Sequence, residues 1–423
     1  MKLALLVFLT LLLCTATITD AQDYWQRINT PDSLTLTDVM VDNEGSIFLS
    51  CWNNFNKGGV YRSDDDGISW TLKNNGLLYT SILSLANDNK GTIYAGGQGR
   101  LYKSYNRGES WIIVSPETGY ADNINTIRCG YDSIILAGGG LQDAILRSGD
   151  YGMTWERVLD ISHPYWFESI TDIQFGPNGV IYACSRIILS NDPGMVYASY
   201  DQGRTWQVFS EAGYPMALGF DNQGRLLRGE FGLGLYRYDF TTSIWEHILS
   251  NGSSPRSILT VPDGKIFLGC YYWPSYLLGG VMLSDDDGGS YQYNNSGFIS
   301  GENNASELVA DNVGRILVLN GWLYRSFDTI FTHSVQAIES QCISLKAFPN
   351  PFYGSINIYI QSVIEVPVPF TLQIYNSTGK LIFCSEIKIE EVYKWDGSNL
   401  PSGIYFIKVS NPNSTSTLKV LHY

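Results

Sequence analysis

An eight-residue phrase recurs along this chain and limits what it can fold into more than any other feature. It reads SDDDGISW at 63–70, SYNRGESW at 104–111, SGDYGMTW at 148–155, SYDQGRTW at 199–206 and SDDDGGSY at 284–291. Worn copies stand in register as YDFTTSIW at 238–245 and SFDTIFTH at 326–333. The starting positions 63, 104, 148, 199, 238, 284 and 326 are 41, 44, 51, 39, 46 and 42 residues apart. That spacing leaves room for about four short strands and their turns. The consensus Ser-x-Asp-x-Gly-x-Ser/Thr-Trp sits between two apolar runs and therefore predicts a hairpin turn. Its Ser and Asp side chains (Ser63, Asp65, Ser104, Ser148, Asp150, Ser199, Asp201, Ser284, Asp286) can bond backbone N–H groups within the turn. Its Gly (Gly67, Gly108, Gly152, Gly203, Gly288) permits a positive φ. Its Trp (Trp70, Trp111, Trp155, Trp206) opens the outgoing strand with a ring large enough to bury.

A second phrase repeats out of phase with the first. DNEGSIFLS (42–50), DNKGTIYAG (88–96), DSIILAG (132–138), PNGVIYAC (177–184), DNQGRLLRG (221–229), PDGKIFLG (262–269) and DNVGRILVL (311–319) each pair a polar turn with an apolar strand. Apolar runs such as SILSLA (81–86) and SITDIQF (169–175) precede the turns. One unit thus reads strand A, turn, strand B, variable loop, strand C, boxed turn, strand D. These phrases resemble Asp-box, or BNR, repeats. The resemblance implies an all-β chain with a seven-bladed β-propeller over 22–337, a ring that leaves no open sheet edge. YWQRI (24–28) looks like a stray strand D, comparable to TWERV (154–158), and is expected to complete the last blade. HSVQAI (333–338) is the competing donor. The triple Asp runs at 64–66 and 285–287 read as turn residues, since a calcium loop needs more ligands at wider spacing.

Residues 1–21 read as an export signal: Lys2, then the apolar core LALLVFLTLLL (3–13), then small residues at Thr19-Asp20-Ala21. No other apolar run is long enough to span a bilayer. The chain is low in charge (16%) and rich in Gly (42) and Tyr (28), as many short strands require. A formal charge of −14 argues against nucleic acid or an anionic membrane as partner. Six Cys follow the signal without a paired spacing. Cys51, Cys184 and Cys270 end the same repeated strand and read as small buried thiols.

After a linker at 338–345 the repeat stops. KAFPNPF (346–352), FTLQIYNSTGKLIF (370–383), WDGSNLPSGIYFIKV (395–409) and TLKVLHY (417–423) predict a small antiparallel β-sandwich. The Pro349-Asn350-Pro351 opening and the Tyr-x-x-x-Gly-Lys and Leu-Pro-x-Gly-x-Tyr phrases resemble the C-terminal sorting domain of the type IX secretion system of the Bacteroidetes. That resemblance covers 346–423. It implies transport across the outer membrane by the type IX machinery and a secreted or surface location.

Strand order places the A–B turns and boxed turns on one face of the ring and the variable B–C and D–A loops on the other. Function favours such loops. The variable face is aromatic: Trp52, Tyr79, Tyr165, Trp166, Tyr214, Phe231, Tyr272, Trp273, Tyr276 and Trp322 are the expected binding residues, with Arg186. Rings of this kind stack on sugars and peptide side chains, so the expected partner is a glycan or a surface protein. The alternative is a glycan-cleaving hydrolase or lyase. A sialidase, which Asp-box propellers include, needs three Arg for a carboxylate; the loop-face candidates Arg100, Arg186 and Arg256 sit in none of that family's motifs. Two-propeller xyloglucanase-like enzymes place paired carboxylates across a cleft, whereas this chain has one ring. The loop carboxylates Asp122, Asp143, Glu168, Asp192, Glu211 and Glu230 read as solvated. No GxSxG, HExxH or P-loop occurs, and no metal or cofactor motif is found. Single Asp-box rings also resemble the photosystem-assembly factors, which are binders; this is analogy of fold alone.

Overall fold

A computed structural model describes residues 23–329 except 32–33, 53–56, 116–122, 131–132, 140–143, 161–166, 178, 189–192, 272–278, 300–303 and 328. It also describes 343–422 except 349–353, 363–369, 377–379, 388–391, 402 and 411–414. The chain divides into two compact units, Met1–Phe331 and Thr332–Tyr423. The first holds seven four-stranded antiparallel sheets, and the innermost strand of each sheet packs on that of the next. Contacts between the first strand, Thr35–Val41, and the seventh, Ala305–Ala310, close the circle as a β-propeller. The seventh sheet draws its outer strand, Trp25–Ile28, from the N-terminal end of the chain, paired with Trp322–Ser326 in the register Trp25 to Ser326 through Ile28 to Leu323. The competing stretch 333–338 lies outside the described residues.

The boxed turns are built alike. In all five full copies the glycine N–H donates to the Ser Oγ at 2.8–2.9 Å. That hydroxyl in turn donates to the Asp65, Asp150, Asp201 or Asp286 carboxylate, or to the Asn106 amide oxygen. The same carboxylate accepts the N–H and hydroxyl of the Ser or Thr four residues on. The Ser290 N–H and the Ser284 and Ser290 hydroxyls hold the Asp286 carboxyl down at about 2. The residue before the glycine is left-handed throughout: Asp66, Arg107, Tyr151, Gln202 and Asp287 have φ of 55–64°.

That strained residue reaches the preceding sheet. Arg107 bonds Asp42 (2.9 Å) in the A–B turn of the first sheet; Arg315 of the seventh grips Asp66 (2.7 Å); Arg225 of the fifth grips Asp287 (2.9 Å). These contacts put the A–B turns and boxed turns on one face. The box aromatic crosses in the same direction. Of seven apolar clusters, one between each pair of sheets, two bury Trp25 and Trp111, and Trp70, Trp155, Trp206, Trp245 and Tyr291, partly buried, pack against the other five. The ring therefore packs a large side chain from each sheet against its predecessor. Cys51, Cys184 and Cys270 are free and fully buried there, with thiols pushed up to about 12 by burial.

The second unit holds a three-stranded and a four-stranded antiparallel sheet. They share a core that includes Ile356, Ile358, Leu372, Ile374, Trp395, Ile407 and Val420. Among the described residues no helix is long and apolar enough to cross a membrane.

Candidate functional site

The seven innermost strands share one irregularity. Each slips by one residue against its partner, between Leu36 and Asp38, Ile82 and Ser84, Ile124 and Thr126, Ile170 and Asp172, Pro215 and Ala217, Pro255 and Ser257, and Ala305 and Glu307. A bulge re-aims the side chains beside it. Here it occurs at the same height in every sheet and turns polar residues towards a cavity of about 800 Å³ lined by these inner strands. Asp38, Asp172, Glu307, Arg128, Arg186 and Arg256 all contribute to its wall.

Two of the carboxylates are clasps between sheets. Asp38 accepts the N–H of Val39 and, from the next sheet, that of Leu85, both at 2.7 Å. Asp172 repeats the pattern with Ile173 (2.8 Å) and Leu218 (3.0 Å), and also takes the Arg128 guanidinium at 2.9 Å. Glu307 stands at the same register position in the seventh sheet, with the Ser257 hydroxyl at 3.5 Å. Burial, helped by the Asp38 charge, pushes the Glu307 carboxyl up to about 8; burial pushes Asp38 up to about 6. The protonated form of Glu307 is thus favoured more than in an ordinary glutamate.

Among the described residues, Arg186 and Arg256 form no ion pair. Arg186 lies at the loop end of Ile181–Ile188, where its Nη1 reaches only the Met216 sulfur at 3.6 Å and its buried Nε has no hydrogen-bond partner. Burial and the Arg256 charge both push its guanidinium below the ordinary range. Arg256 occupies the bulge of the sixth sheet, 5.9 Å from the centre of the Tyr271 ring. Arg100, the third cation of the sequence reading, is not in the cavity wall and donates to the Gly99 carbonyl at 3.1 Å.

Of the expected loop-face residues that are described, Arg186 lines this cavity, as does the loop-face candidate Arg256, and the described aromatic ones do not. Tyr79 is exposed (47%), and its N–H donates to the Tyr102 hydroxyl at 3.0 Å. Trp52, Tyr214 and Phe231 are half-buried, and the Phe231 N–H donates to the Tyr214 carbonyl at 2.9 Å. Trp322 packs against an inter-sheet core with Arg27 over its ring at 3.6 Å. Tyr165, Trp166, Tyr272, Trp273 and Tyr276 lie outside the described residues. One loop carboxylate read as solvated is not: Glu230 is buried and paired with Arg228 at 2.6 Å, which in turn sits over the Trp245 ring. Sequence reasoning missed Asp38, Arg128, Asp172 and Glu307. The available signal was a charge inside an otherwise apolar run: one each in TLTDVMV, INTIRC and ASELVA, and Asp172 besides Glu168 in FESITDIQF.

Residues 346–422 match the family described as the secretion system C-terminal sorting domain. No curated protein sequence matches the chain. Among solved structures it is similar to PorZ, a surface component of the type IX secretion system of Porphyromonas gingivalis. The identity is 13% and the TM-score 0.55, over 93% of this chain and 60% of PorZ. It is similar to the extracellular domain of a protein described as a hybrid two-component system of B. thetaiotaomicron (12%, TM-score 0.55, 95% of this chain and 57% of that one). It is also similar to YCF48 bound to a D1 peptide (16%, TM-score 0.55, 72% of this chain and 97% of that one). The chain spans about six-tenths of the first two proteins. At these identities the likeness shows the fold, a β-propeller. With its sorting domain, the chain is an all-β propeller protein exported to the cell surface or secreted.

Proposed function

We propose that this protein is a binder working at the cell surface or in the medium, and that its propeller holds a glycan or a surface protein at the cavity and the variable loops beside it. On this reading the Ser-x-Asp turns are Asp boxes that serve the scaffold, and residues 346–423 engage the type IX machinery. The observation that carries the reading is the cavity. It combines polar and charged groups in a space of about 800 Å³, the size range of small-ligand sites. Two of its carboxylates have both oxygens committed to backbone N–H groups, which suits a rigid receptor. A propeller neighbour described as bound to a peptide supports the same use of the fold. The test is to screen the full exported chain against a glycan array and against cell-surface fractions. The reading predicts a ligand whose capture weakens when Arg186 is replaced; capture that depends only on boxed-turn residues would overturn it.

One observation favours glycan cleavage as a second reading. Burial raises the Glu307 carboxyl further than that of Asp38, whose charge it feels, the pattern of an acid and a base held apart in pKa. The Asp38 oxygens are already bonded, so the binding reading ranks first. Oligosaccharide hydrolysis that disappears in Glu307→Gln would reverse the order.

A further inference from the structure

We propose that the cavity is built for a sugar carrying a carboxylate, a hexuronate unit, with that carboxylate clamped between Arg186 and Arg256. The inference rests on the glycan part of the reading above and deepens it.

Three arginines face the cavity, and among the described residues only Arg128 is ion-paired. Arg128 is spoken for by Asp172 at 2.9 Å. Among the described residues, neither Arg186 nor Arg256 makes an ion pair, and the buried Nε of Arg186 donates to nothing. The two guanidiniums are close enough for the Arg256 charge to disfavour that of Arg186. Arg186 is partly buried with an unbonded Nε and Arg256 is solvated at the same wall, and a guanidinium fork matches a carboxylate with two parallel hydrogen bonds.

The local charge agrees with this and runs against the whole molecule. The chain carries a formal −14. In the cavity wall three Arg face Asp38, Asp172 and Glu307; Asp38 and Asp172 are already bonded to backbone N–H groups, and burial raises the Glu307 carboxyl. Arg186 and Arg256, without ion pairs among the described residues, are therefore where this wall can receive an anion. A site of this sign inside an acidic protein selects for an anion that fits rather than for anions in general.

The remaining wall favours a sugar over a peptide end. Asn125, Ser169, Ser257 and Ser306 supply amide and hydroxyl groups around the space, which suit ring hydroxyls. The Tyr271 ring lines the same space, with the Arg256 guanidinium 5.9 Å from its centre. A peptide carboxyl terminus shares the carboxylate chemistry without needing those hydroxyl partners.

Calorimetric titration of the full exported chain tests this with three probes: trigalacturonate, the neutral trisaccharide galactotriose, and a tripeptide with a free C-terminal carboxylate. The expected result is binding of trigalacturonate alone. Affinity should fall about 10- to 100-fold in Arg186→Gln and in Arg256→Gln, the loss of one charged hydrogen-bond set, and stay unchanged in Arg100→Gln. Melting temperatures should be preserved, since neither arginine holds the fold together. If Arg186→Gln unfolds, Arg186→Lys keeps the charge without the fork and should give an intermediate loss. Galactotriose binding that ignores both substitutions would keep the glycan reading and overturn this inference. Arginine-dependent binding of the tripeptide but not the uronate would overturn the sugar assignment. Failure of all three probes at millimolar concentration would also overturn it.

Discussion

Removing the Trp25 ring should undo the closure of the propeller. Trp25 is 1% exposed. Its ring stacks on Phe298 with centroids 5.5 Å apart and planes 17° apart, and its Nε1 donates to the Asn294 carbonyl at 2.6 Å. Its backbone N–H donates to the Ser296 carbonyl at 3.0 Å. Truncating a buried aromatic side chain costs about 3–5 kcal/mol, and stranding the Asn294 carbonyl adds about 1 kcal/mol. Trp25→Ala should therefore remove about 4–6 kcal/mol from a domain whose whole stability is on the order of 5–15 kcal/mol. Urea unfolding of the full chain measures this as a lower midpoint for the ring transition. Ile68→Ala, at a residue 83% exposed on a boxed turn, is the control and should stay within about 0.5 kcal/mol. Limited proteolysis gives the location: cleavage should begin around 293–326 and 23–28, where the seventh sheet opens. A Trp25→Ala shift below about 1 kcal/mol would show that the N-terminal strand is not what locks the ring.

Three further predictions follow from the same contacts. Gly67 has φ +85° and an added Cβ would stand 2.5 Å from Ile28 Cγ2, whereas Gly91 has φ +78° and open space around it; Gly67→Ala should cost about 2–5 kcal/mol and Gly91→Ala about 1 kcal/mol, and equal costs would deny the packing of boxed turn on closing strand. Asp42 is 4% exposed, and its carboxylate takes the Glu44 and Ser46 N–H groups besides Arg107, so Asp42→Ala should cost about 2–3 kcal/mol; the more exposed Asp66, gripped by Arg315 and Arg325, should cost about 1 kcal/mol. Stability should peak on the acid side of neutrality. The box carboxyl of Asp286 is held at about 2, below its unfolded value, so its contribution is present above the ordinary aspartate range and lost as pH falls towards 2. Glu307 is raised to about 8, so the folded state binds the extra proton and stability falls as pH rises from the ordinary glutamate range towards 8. Glu307→Gln should flatten that upper limb in a series of urea midpoints, and an unchanged limb would refute the assignment.

The ring was legible because its information is local. A Ser-x-Asp-x-Gly turn is specified by side chains bonding their own backbone, so each copy announces itself in eight letters. Even the displaced strand at Trp25–Ile28 showed its identity through likeness to TWERV. The cavity was not legible because it depends on register. Nothing within TLTDVMV says that the strand slips between Leu36 and Asp38, and without that slip its polar residues fall into plain alternation. Charged residues in apolar strands were the overlooked trace. Arg186 and Arg256 were noticed for their affinity for carboxylates, but sequence separation hid that two different sheets bring them to one space. Glu230 shows the opposite error: beside a loop in sequence, it is buried against Arg228 in the fold.

Hydrogen exchange of the full chain with and without trigalacturonate tests most directly whether ligands enter along the inner strands. The account predicts slowed exchange in peptides covering 169–174, 255–259 and 304–309, with the boxed turns at 63–70 and 148–155 unchanged. Protection confined to the boxed turns, or to 346–422, would contradict it.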